Sequence, residues 1–320
     1  MSNVYHLFNL LSFLSTYRLY SVMNYINTFR EVYQYDDPLE PLKPYVETFI
    51  KPYIPQSLQP YEIISNNLHT LLFGLSLYTT LFQLSKIFLF FNPQITKALK
   101  SEKNKLDCCV RIVSFIQAII ICFLGIPVFN NKYLNIDHVF ATTPYSKFYT
   151  SMALSYFIWD TIISTIYVKY FGVGFLIHGI VSTIVFTIAV EYKFIQYYSA
   201  IFLLFEISTP FLDIRWVGLK FNVLSENVKL INNIILILIF FFIRICWGWY
   251  QVFRLGIDLY DAKNEANFTT IGAIIILSCN FILDILNVFW FSKMMTVAIE
   301  TLKGMLGFKV KTDESKIKLM

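Results

Sequence analysis

Four ionisable side chains lie inside long apolar runs of this chain: Asp160, His178, Glu206 and Arg244. In hydrocarbon each such group costs at least ~2.5–3.5 kcal/mol, so each needs a polar partner or a wet cavity. Such groups can anchor the polar part of a ligand, and His178 is also a possible base. We therefore predict that they share one functional cavity. The alternative is that they are separate contacts that only hold helices together.

A proline close to Glu206 marks the most unusual stretch of the chain, residues 205–216. Pro210 has no backbone N–H, so the carbonyl of Glu206, four residues earlier, should lack its helical donor. A free carbonyl beside a carboxylate makes a polar notch, which is tolerated at membrane depth only where it faces protein or a cavity. The pattern predicts a kink at Pro210 in the wall of the cavity. Asp213 and Arg215 follow as an acid and a base at the edge of the same run.

The composition indicates that the elements positioning these groups are membrane helices. Of the 320 residues, 56% are hydrophobic and 15% charged, whereas soluble domains carry about 25% charged residues. The net charge of +5 comes from basic residues scattered among the loops, which argues against nucleic-acid binding. The five cysteines form no CxxC or Cys/His set, so we interpret them as core residues and predict no metal site. No soluble-enzyme motif is found either.

Seven apolar runs approach the ~20 residues that a membrane-spanning helix requires. They predict an all-α polytopic protein with about seven spans, at 68–91, 108–129, 148–167, 171–190, 194–212, 231–253 and 268–292. Before them, residues 1–30 predict an amphipathic helix on the membrane or, alternatively, a weak span. The prolines between 38 and 60 predict a linker or surface arm without a regular helix. The last span carries Asn280, Asp284 and Asn287, and their i, i+4, i+7 spacing predicts a polar stripe that holds helices together. We assign the same structural role to Asp213 and Arg215.

The distribution of Lys and Arg predicts the orientation. Basic residues are concentrated in the loop after the first span, the loop after the fifth span and the C-terminal tail, which share one side of a seven-span protein. That side is predicted to be cytosolic, so the N-terminus is lumenal and the C-terminus cytosolic. Lys316 and Lys318 match a KxKxx dilysine signal, which coat proteins use to retrieve membrane proteins to the endoplasmic reticulum; the alternative is a chance lysine pair. Asn267 begins a glycosylation sequon next to the seventh span.

A series of motifs resembles the TLC-domain family, in particular the type called TLC-domain-containing protein 4, with a distant likeness to ceramide synthases. The most specific motif is Glu-x-Ser-x-Pro-x-x-x-x-Arg-Trp at 206–216. The others are Arg111-Ile112-Val113-Ser114, Tyr156-Phe157-Ile158-Trp159-Asp160, Phe175-Leu176-Ile177-His178, Phe242-Ile243-Arg244-Ile245 and Leu283-Asp284-Ile285-Leu286-Asn287-Val288-Phe289-Trp290.

The resemblance covers about residues 108–300 and implies six helices arranged as a TLC barrel around a lipid-accessible cavity in the endoplasmic reticulum membrane. The predicted organisation is then an amphipathic and proline-rich arm at 1–66, a first transmembrane helix with a basic loop at 67–107, the TLC domain at 108–300 and a basic tail at 301–320. The resemblance implies that Asp160, His178, Glu206, Pro210 and Arg244 belong to the cavity.

Two departures from the family pattern bear on function. Gly179 stands where the family commonly has the second histidine of a pair, and Gln117 where the second span commonly carries a histidine. Ceramide synthases use the paired histidines for N-acyl transfer from acyl-CoA. We therefore expect a protein that binds or handles membrane lipid, sphingolipid or fatty-acyl lipid among the candidates, without a cofactor. The alternatives are an N-acyltransferase using acyl-CoA, with His178 as base or acyl acceptor and Asp160 orienting it, and a cargo or translocon-associated chaperone.

Overall fold

The computed structural model describes residues 36–305, and this part of the chain is helical and contains no strand. The predicted all-α membrane fold is confirmed. The predictions for residues 1–30 and for Lys316 and Lys318 lie outside the described residues.

Within residues 36–305, nine helices form the bundle: α1 (Leu68–Phe91), α2 (Glu102–Leu124), α3 (Pro144–Ile166), α4 (Val173–Glu191), α5 (Gln196–Leu203), α6 (Thr209–Phe221), α7 (Glu226–Ile239), α8 (Gly248–Asp261) and α9 (Thr270–Met305). A 3-10 turn, Leu204–Ser208, joins α5 to α6, and a π-helical segment, Phe240–Trp247, joins α7 to α8. Shorter helices lie in the arm and loops: Glu40–Leu42, Lys43–Phe49, Lys51–Tyr53, Glu62–Asn66, Pro93–Ala98, Ile126–Phe129, Lys132–Ile136, Val168–Phe171 and Ala262–Asn264.

Five helical stretches of the described chain are long and apolar enough to cross a membrane: Leu68–Phe91, Glu102–Phe129, Val173–Glu191, Glu226–Asn264 and Thr270–Lys303. The predicted count of seven is therefore not confirmed. The two predicted spans outside this set are α3, which is rich in Ser, Thr and Tyr, and the α5–α6 stretch, which is broken by the 3-10 turn.

Helix α3 lies at the centre of the bundle, packed against α1 and α4 and touching α2 and α5. Small side chains permit this close packing, because a Cβ added to Gly74 of α1 would lie only 2.4 Å from Ser155 Cβ of α3. The Ser155 hydroxyl donates to the carbonyls of Ser151 (2.8 Å) and Leu71 (3.2 Å). Ser146 and Thr150 of α3 likewise have hydrogen-bonding partners inside the bundle, whereas the Ser151 hydroxyl finds none among the described residues.

The proline-rich arm contains more helix than the sequence predicted. Lys43–Phe49 is a helix of 7 residues, and Pro44 occupies its first turn, where the missing N–H would have no intrahelical partner. The expectation of no regular helix at 36–60 was therefore wrong for this segment, since the prolines fall at starts of short helices rather than in their interiors.

The arm is fastened to the end of the bundle where α1 begins and α4 ends. The Glu191 carboxylate accepts the backbone N–H groups of Glu62 and Ile63, both at 3.1 Å, at the start of the helix Glu62–Asn66. The Glu62 carboxylate lies 3.1 Å from Lys193 Nζ and 3.3 Å from Lys147 Nζ. Burial favours a higher pKa for Glu62, but the Asn66 hydrogen bond and the two ammonium groups together hold this pKa below its ordinary value.

Candidate functional site

The centre of the candidate site is Arg244, which lies in the π-helical segment and is only 8% exposed. Its Nε donates to the Ser208 hydroxyl (2.9 Å) and to the carbonyl of Phe205 (3.1 Å). Its terminal nitrogens make only longer contacts: 3.4 Å to Asn287 Oδ1, 3.4 Å to Thr209 Oγ1 and 3.7 Å to Glu206 Oε1. The Nε hydrogen bonds thus orient Arg244, while the N–H donors on its two terminal nitrogens make only long contacts.

The 3-10 turn before Pro210 determines which backbone oxygen meets Arg244. The Glu206 carbonyl accepts the N–H of Thr209, three residues on, so it is not free. The predicted notch at the Glu206 carbonyl was therefore wrong, because the tightened turn replaces the donor that Pro210 lacks. The carbonyl that receives Arg244 is that of Phe205, one residue earlier.

A cavity of about 40 Å³ lies beside Arg244, and this volume holds only a few water molecules. Its polar lining comes from three helical elements besides the 3-10 turn, namely α4, the π-helical segment and α9, and its apolar lining is largely aromatic. The lining comprises Phe157, His178, Ser182, Phe186, Phe202, Leu203, Phe205, Glu206, Arg244, Asn280, Leu283 and Asn287. The structure therefore brings three of the four predicted groups to one place: His178, Glu206 and Arg244.

His178 is half-buried and stands between α4 and α9. Its ring packs edge-on against Phe157 (6.1 Å between centroids) and Trp290 (5.7 Å). Trp290 also packs against Phe175 at 5.5 Å. Within residues 36–305 neither nitrogen of the His178 ring forms a hydrogen bond, so both are available to a ligand.

Asp160 and Pro210 are the two predicted cavity residues that do not line this cavity. A Cβ on Gly179 would lie 3.1 Å from Asp160 Oδ2, 2.9 Å from Thr161 Oγ1 and 3.2 Å from Thr161 Cα. Helices α3 and α4 therefore touch closely at Gly179. A side chain at 179 would require Thr161 and the backbone of α3 beside it to shift, so the glycine permits the close packing of these two helices.

Gln117, the second departure from the family pattern, is fully buried on α2. Its side-chain oxygen accepts a short hydrogen bond from the Tyr78 hydroxyl of α1. Its amide nitrogen finds no partner among the described residues. Gln117 thus joins α1 to α2 and does not line the Arg244 cavity.

The acid after Pro210 has a partner that sequence reasoning did not identify. Arg111 Nη1 of α2 donates to Asp213 Oδ1 at 3.0 Å, and the Ser114 hydroxyl donates to Oδ2 at 3.1 Å. Arg111 also bonds Asp107 through Nε at 2.9 Å. Arg215 is half-buried and forms no ion pair in the described part of the chain. The pattern Arg111-x-x-Ser114, which places both donors on one helix face, could have indicated this partner.

The polar stripe of α9 is buried, and its members have different partners. Asn287 faces Arg244, while Asn280 donates to the Ile276 carbonyl (2.9 Å) and also lines the cavity. Asp284 is 1% exposed, and its Oδ2 finds no donor within residues 36–305. A Cβ on Gly248 would lie 3.3 Å from Asp284 Oδ1, so this carboxylate faces the start of α8.

Comparison with known proteins points to one family. The family description "TLC domain" matches residues 107–296. An uncharacterized TLC domain-containing protein of Saccharomyces cerevisiae is 39% identical over 211 residues, which make up 61% of this chain and 64% of that protein. Topoisomerase I damage affected protein 4 of the same yeast is 30% identical over 74% of this chain and 86% of its own length. Human TLC domain-containing protein 4 is 25% identical over 68% of this chain and 84% of its own. No solved structure matches the chain.

Proposed function

Because the chain belongs to the TLC-domain family, we propose that it is a multi-pass protein of the endoplasmic reticulum membrane that binds or handles lipid at the Arg244 cavity and acts in membrane lipid homeostasis. Proteins of this family are linked to lipid handling. The observation that carries the proposal is the meeting of His178, Glu206 and Arg244 at one cavity inside an apolar bundle. Polar groups buried at such depth mark ligand sites by default.

The loose coordination of Arg244 supports a ligand role rather than a purely structural one. A guanidinium carries five N–H donors, and here only Nε makes contacts shorter than 3.4 Å. The oxygen of a lipid carbonyl, carboxylate or phosphate can take up the remaining donors. The half-buried His178 offers a second polar contact at the same cavity.

A lipid requires more room than about 40 Å³, so binding must separate helices. The contacts among Phe175, His178 and Trp290 lie between α4 and α9 and consist of ring packing alone. We expect α4 and α9 to separate at these rings and to open the cavity toward the membrane, because their separation breaks no hydrogen bond or ion pair among the described residues.

An acyltransferase is the second candidate, favoured by the free nitrogens of His178. Two observations weigh against it as the first choice. Gly179 lies so close to Thr161 that a second histidine could not be accommodated without moving α3. Gln117 is bonded to Tyr78 and does not line the cavity. Under the first candidate the purified protein should form no ceramide from acyl-CoA above background; turnover abolished by His178→Ala would overturn it.

Photo-crosslinking can test lipid binding at the cavity. A membrane preparation is incubated with a diazirine-bearing fatty-acyl lipid, illuminated and digested for peptide mapping. We expect adducts on Phe157 and Leu283 in the wild type and a loss of these adducts in Arg244→Gln. Phe242, which is 60% exposed on the outer surface, serves as the internal control and should be labelled equally in both. Labelling confined to outer residues such as Phe242 would contradict the proposal.

The location is tested separately from the ligand. Replacing both Lys316 and Lys318 by serine should release the protein from the endoplasmic reticulum if coat proteins read the tail. Reporters fused at Met1 and after Met320 should report lumenal and cytosolic locations, respectively. Unchanged residence of the double-serine variant would show that retention comes from another part of the chain.

A further inference from the structure

Three side chains of metal-ligand type meet outside the bundle site, where the arm reaches the first turn of α1. The ligand atoms of Asp37, Glu40 and His69 all lie within 4.8 Å of one another. His69 Nε2 is 2.9 Å from Asp37 Oδ2. The three residues lie outside both the Arg244 cavity and the segment that matches the TLC domain.

The two carboxylates are held on a stiff turn. The N–H of Glu40 donates to the carbonyl of Asp37 at 3.2 Å, which closes a four-residue turn with Pro38 at its second position. The N–H of Leu39 donates to Asp37 Oδ1 at 2.8 Å and orients that carboxylate, leaving Oδ2 to face His69. Pro41 restricts the backbone directly after Glu40. The turn thus presents both acids before any ligand arrives, and a supported carboxylate is what metal sites use.

The histidine is buried at the start of a long helix. His69 is only 3% exposed and is the second residue of α1, a helix of 24 residues. Imidazole is the commonest metal-binding side chain in proteins, and the positive end of the helix dipole favours nearby carboxylates. Among the described residues, Asp37 is the one hydrogen-bonding partner of this ring.

We propose that Asp37, Glu40 and His69 bind one divalent transition-metal cation, with Zn²⁺ as the best match. One imidazole nitrogen and two carboxylate oxygens are ligands that Zn²⁺ takes in proteins, with bonds of about 2.0–2.2 Å and a fourth position for water. Two ligand atoms of one tetrahedral ion then lie about 3.3 Å apart. His69 Nε2 and Asp37 Oδ2, now 2.9 Å apart, would need to separate only slightly to admit it. Lys43 Nζ, 3.7 Å from Glu40 Oε1, is the surface contact that the ion would displace. The bound ion would join the arm to α1.

The test is a titration of the purified full-length protein in detergent after removal of metal with a chelator. We expect one equivalent of Zn²⁺ to bind and to raise the unfolding temperature. Affinity should fall by about tenfold or more in Glu40→Gln and further in His69→Gln, as expected when a ligand is lost. Asp36→Asn removes an exposed acid one residue from the cluster, and His138→Gln alters another histidine–aspartate pair, with Asp258. Both controls should bind Zn²⁺ like the wild type.

Equal affinity in the wild type, Glu40→Gln and His69→Gln would overturn the proposal, as would the absence of stoichiometric binding by the wild type. Glutamine at 69 can still donate to Asp37, which protects the fold. If His69→Gln nevertheless fails to fold, the exposed Glu40 provides the deciding variant: unchanged affinity in Glu40→Gln overturns the site. The result is independent of lipid binding at Arg244, since the two sites share no residue.

Discussion

Two arginine–carboxylate pairs flank Pro210, and they are built differently. In one, Arg111 meets Asp213 at 3.0 Å, while Asp107 and Ser114 satisfy the remaining groups. In the other, Arg244 stays 3.7 Å from Glu206, and a cavity lies alongside.

The difference distinguishes a structural pair from a candidate binding group. A pair with a short bond, in which each member also has a further hydrogen-bonding partner, leaves nothing for a ligand to improve. A buried guanidinium with long contacts leaves hydrogen-bonding capacity unused at the cavity wall. We therefore expect loss of Arg111 to affect mainly stability, and loss of Arg244 to affect mainly lipid contact.

The largest loss of stability is expected for Arg111→Leu. This change leaves Asp213 buried without its cation, which for a buried pair costs about 3–5 kcal/mol. Replacing Asp213 by asparagine in the same protein should recover part of the loss. Thermal unfolding in detergent across the four proteins of this double-mutant cycle measures the coupling. Strict additivity would mean that Arg111 and Asp213 are not coupled and would contradict the comparison.

Arg244→Leu should cost less, about 1–3 kcal/mol, because it removes one strong set of hydrogen bonds and only a long ion pair. Adding Glu206→Gln should recover part of this loss, whereas Asp160→Asn should add independently, since Asp160 does not line the cavity. The same proteins should show the reverse order in the crosslinking experiment, with cavity adducts lost in Arg244→Leu and kept in Arg111→Leu. If both arginines affect both measurements equally, the distinction between the pairs fails.

Gly179→Ala tests how rigid the wall near His178 is. The new Cβ would lie 2.9–3.2 Å from Thr161 of α3, and such overpacking costs about 1–3 kcal/mol. Gly174→Ala is the matched control on the same helix, because a Cβ there meets nothing within 4 Å. Chemical denaturation of both variants measures the difference. Equal stability would show that α4 moves freely against α3, and that the missing second histidine has no steric cause.

The smallest effect on stability is expected for Glu62, which has two lysine partners where the arm meets the bundle. Since the pKa of Glu62 is lowered in the folded protein, its stabilising contribution is present above the unfolded pKa of about 4.3 and is lost as the pH falls through the lower folded value. The wild type should therefore lose more thermal stability than Glu62→Gln between pH 6 and pH 3.5. Parallel pH profiles of the two proteins would exclude this contribution.

The fold class followed from the sequence, and so did the choice of polar residues, because an ionisable residue in an apolar run must find a partner whatever the arrangement of helices. The structure places His178, Glu206 and Arg244 at one cavity and leaves Asp160 and Pro210 out of its lining, since helical spacing identifies a face but not the neighbour that the face meets. That this cavity is a functional site stays a prediction. Sequence reasoning missed Arg111 as the partner of Asp213, 102 residues away, and the approach of Asp37 and Glu40 to His69. Such long-range pairings depend on tertiary structure, which a single sequence does not encode locally.

The predicted count of seven membrane spans was not confirmed for a related reason. Hydropathy assumes that each helix faces lipid, but α3 faces other helices and can be polar. In α5–α6, the turn Leu204–Ser208 interrupts the helix near Glu206. The two predicted spans that are not confirmed, α3 and α5–α6, both contribute residues to the lining of the Arg244 cavity.

The π-helical segment has a consequence for chain length. Before it, Leu236 packs in a small core with Met294; after it, Leu255 and Leu259 pack in a different core with Ile276. A π bulge inserts one extra residue into a helix, and each residue turns a helix by about 100°. Deleting one residue from 240–247 would restore a regular helix and rotate Leu255 and Leu259 off their core. Between these two cores the number of residues is therefore fixed more strictly than their identity.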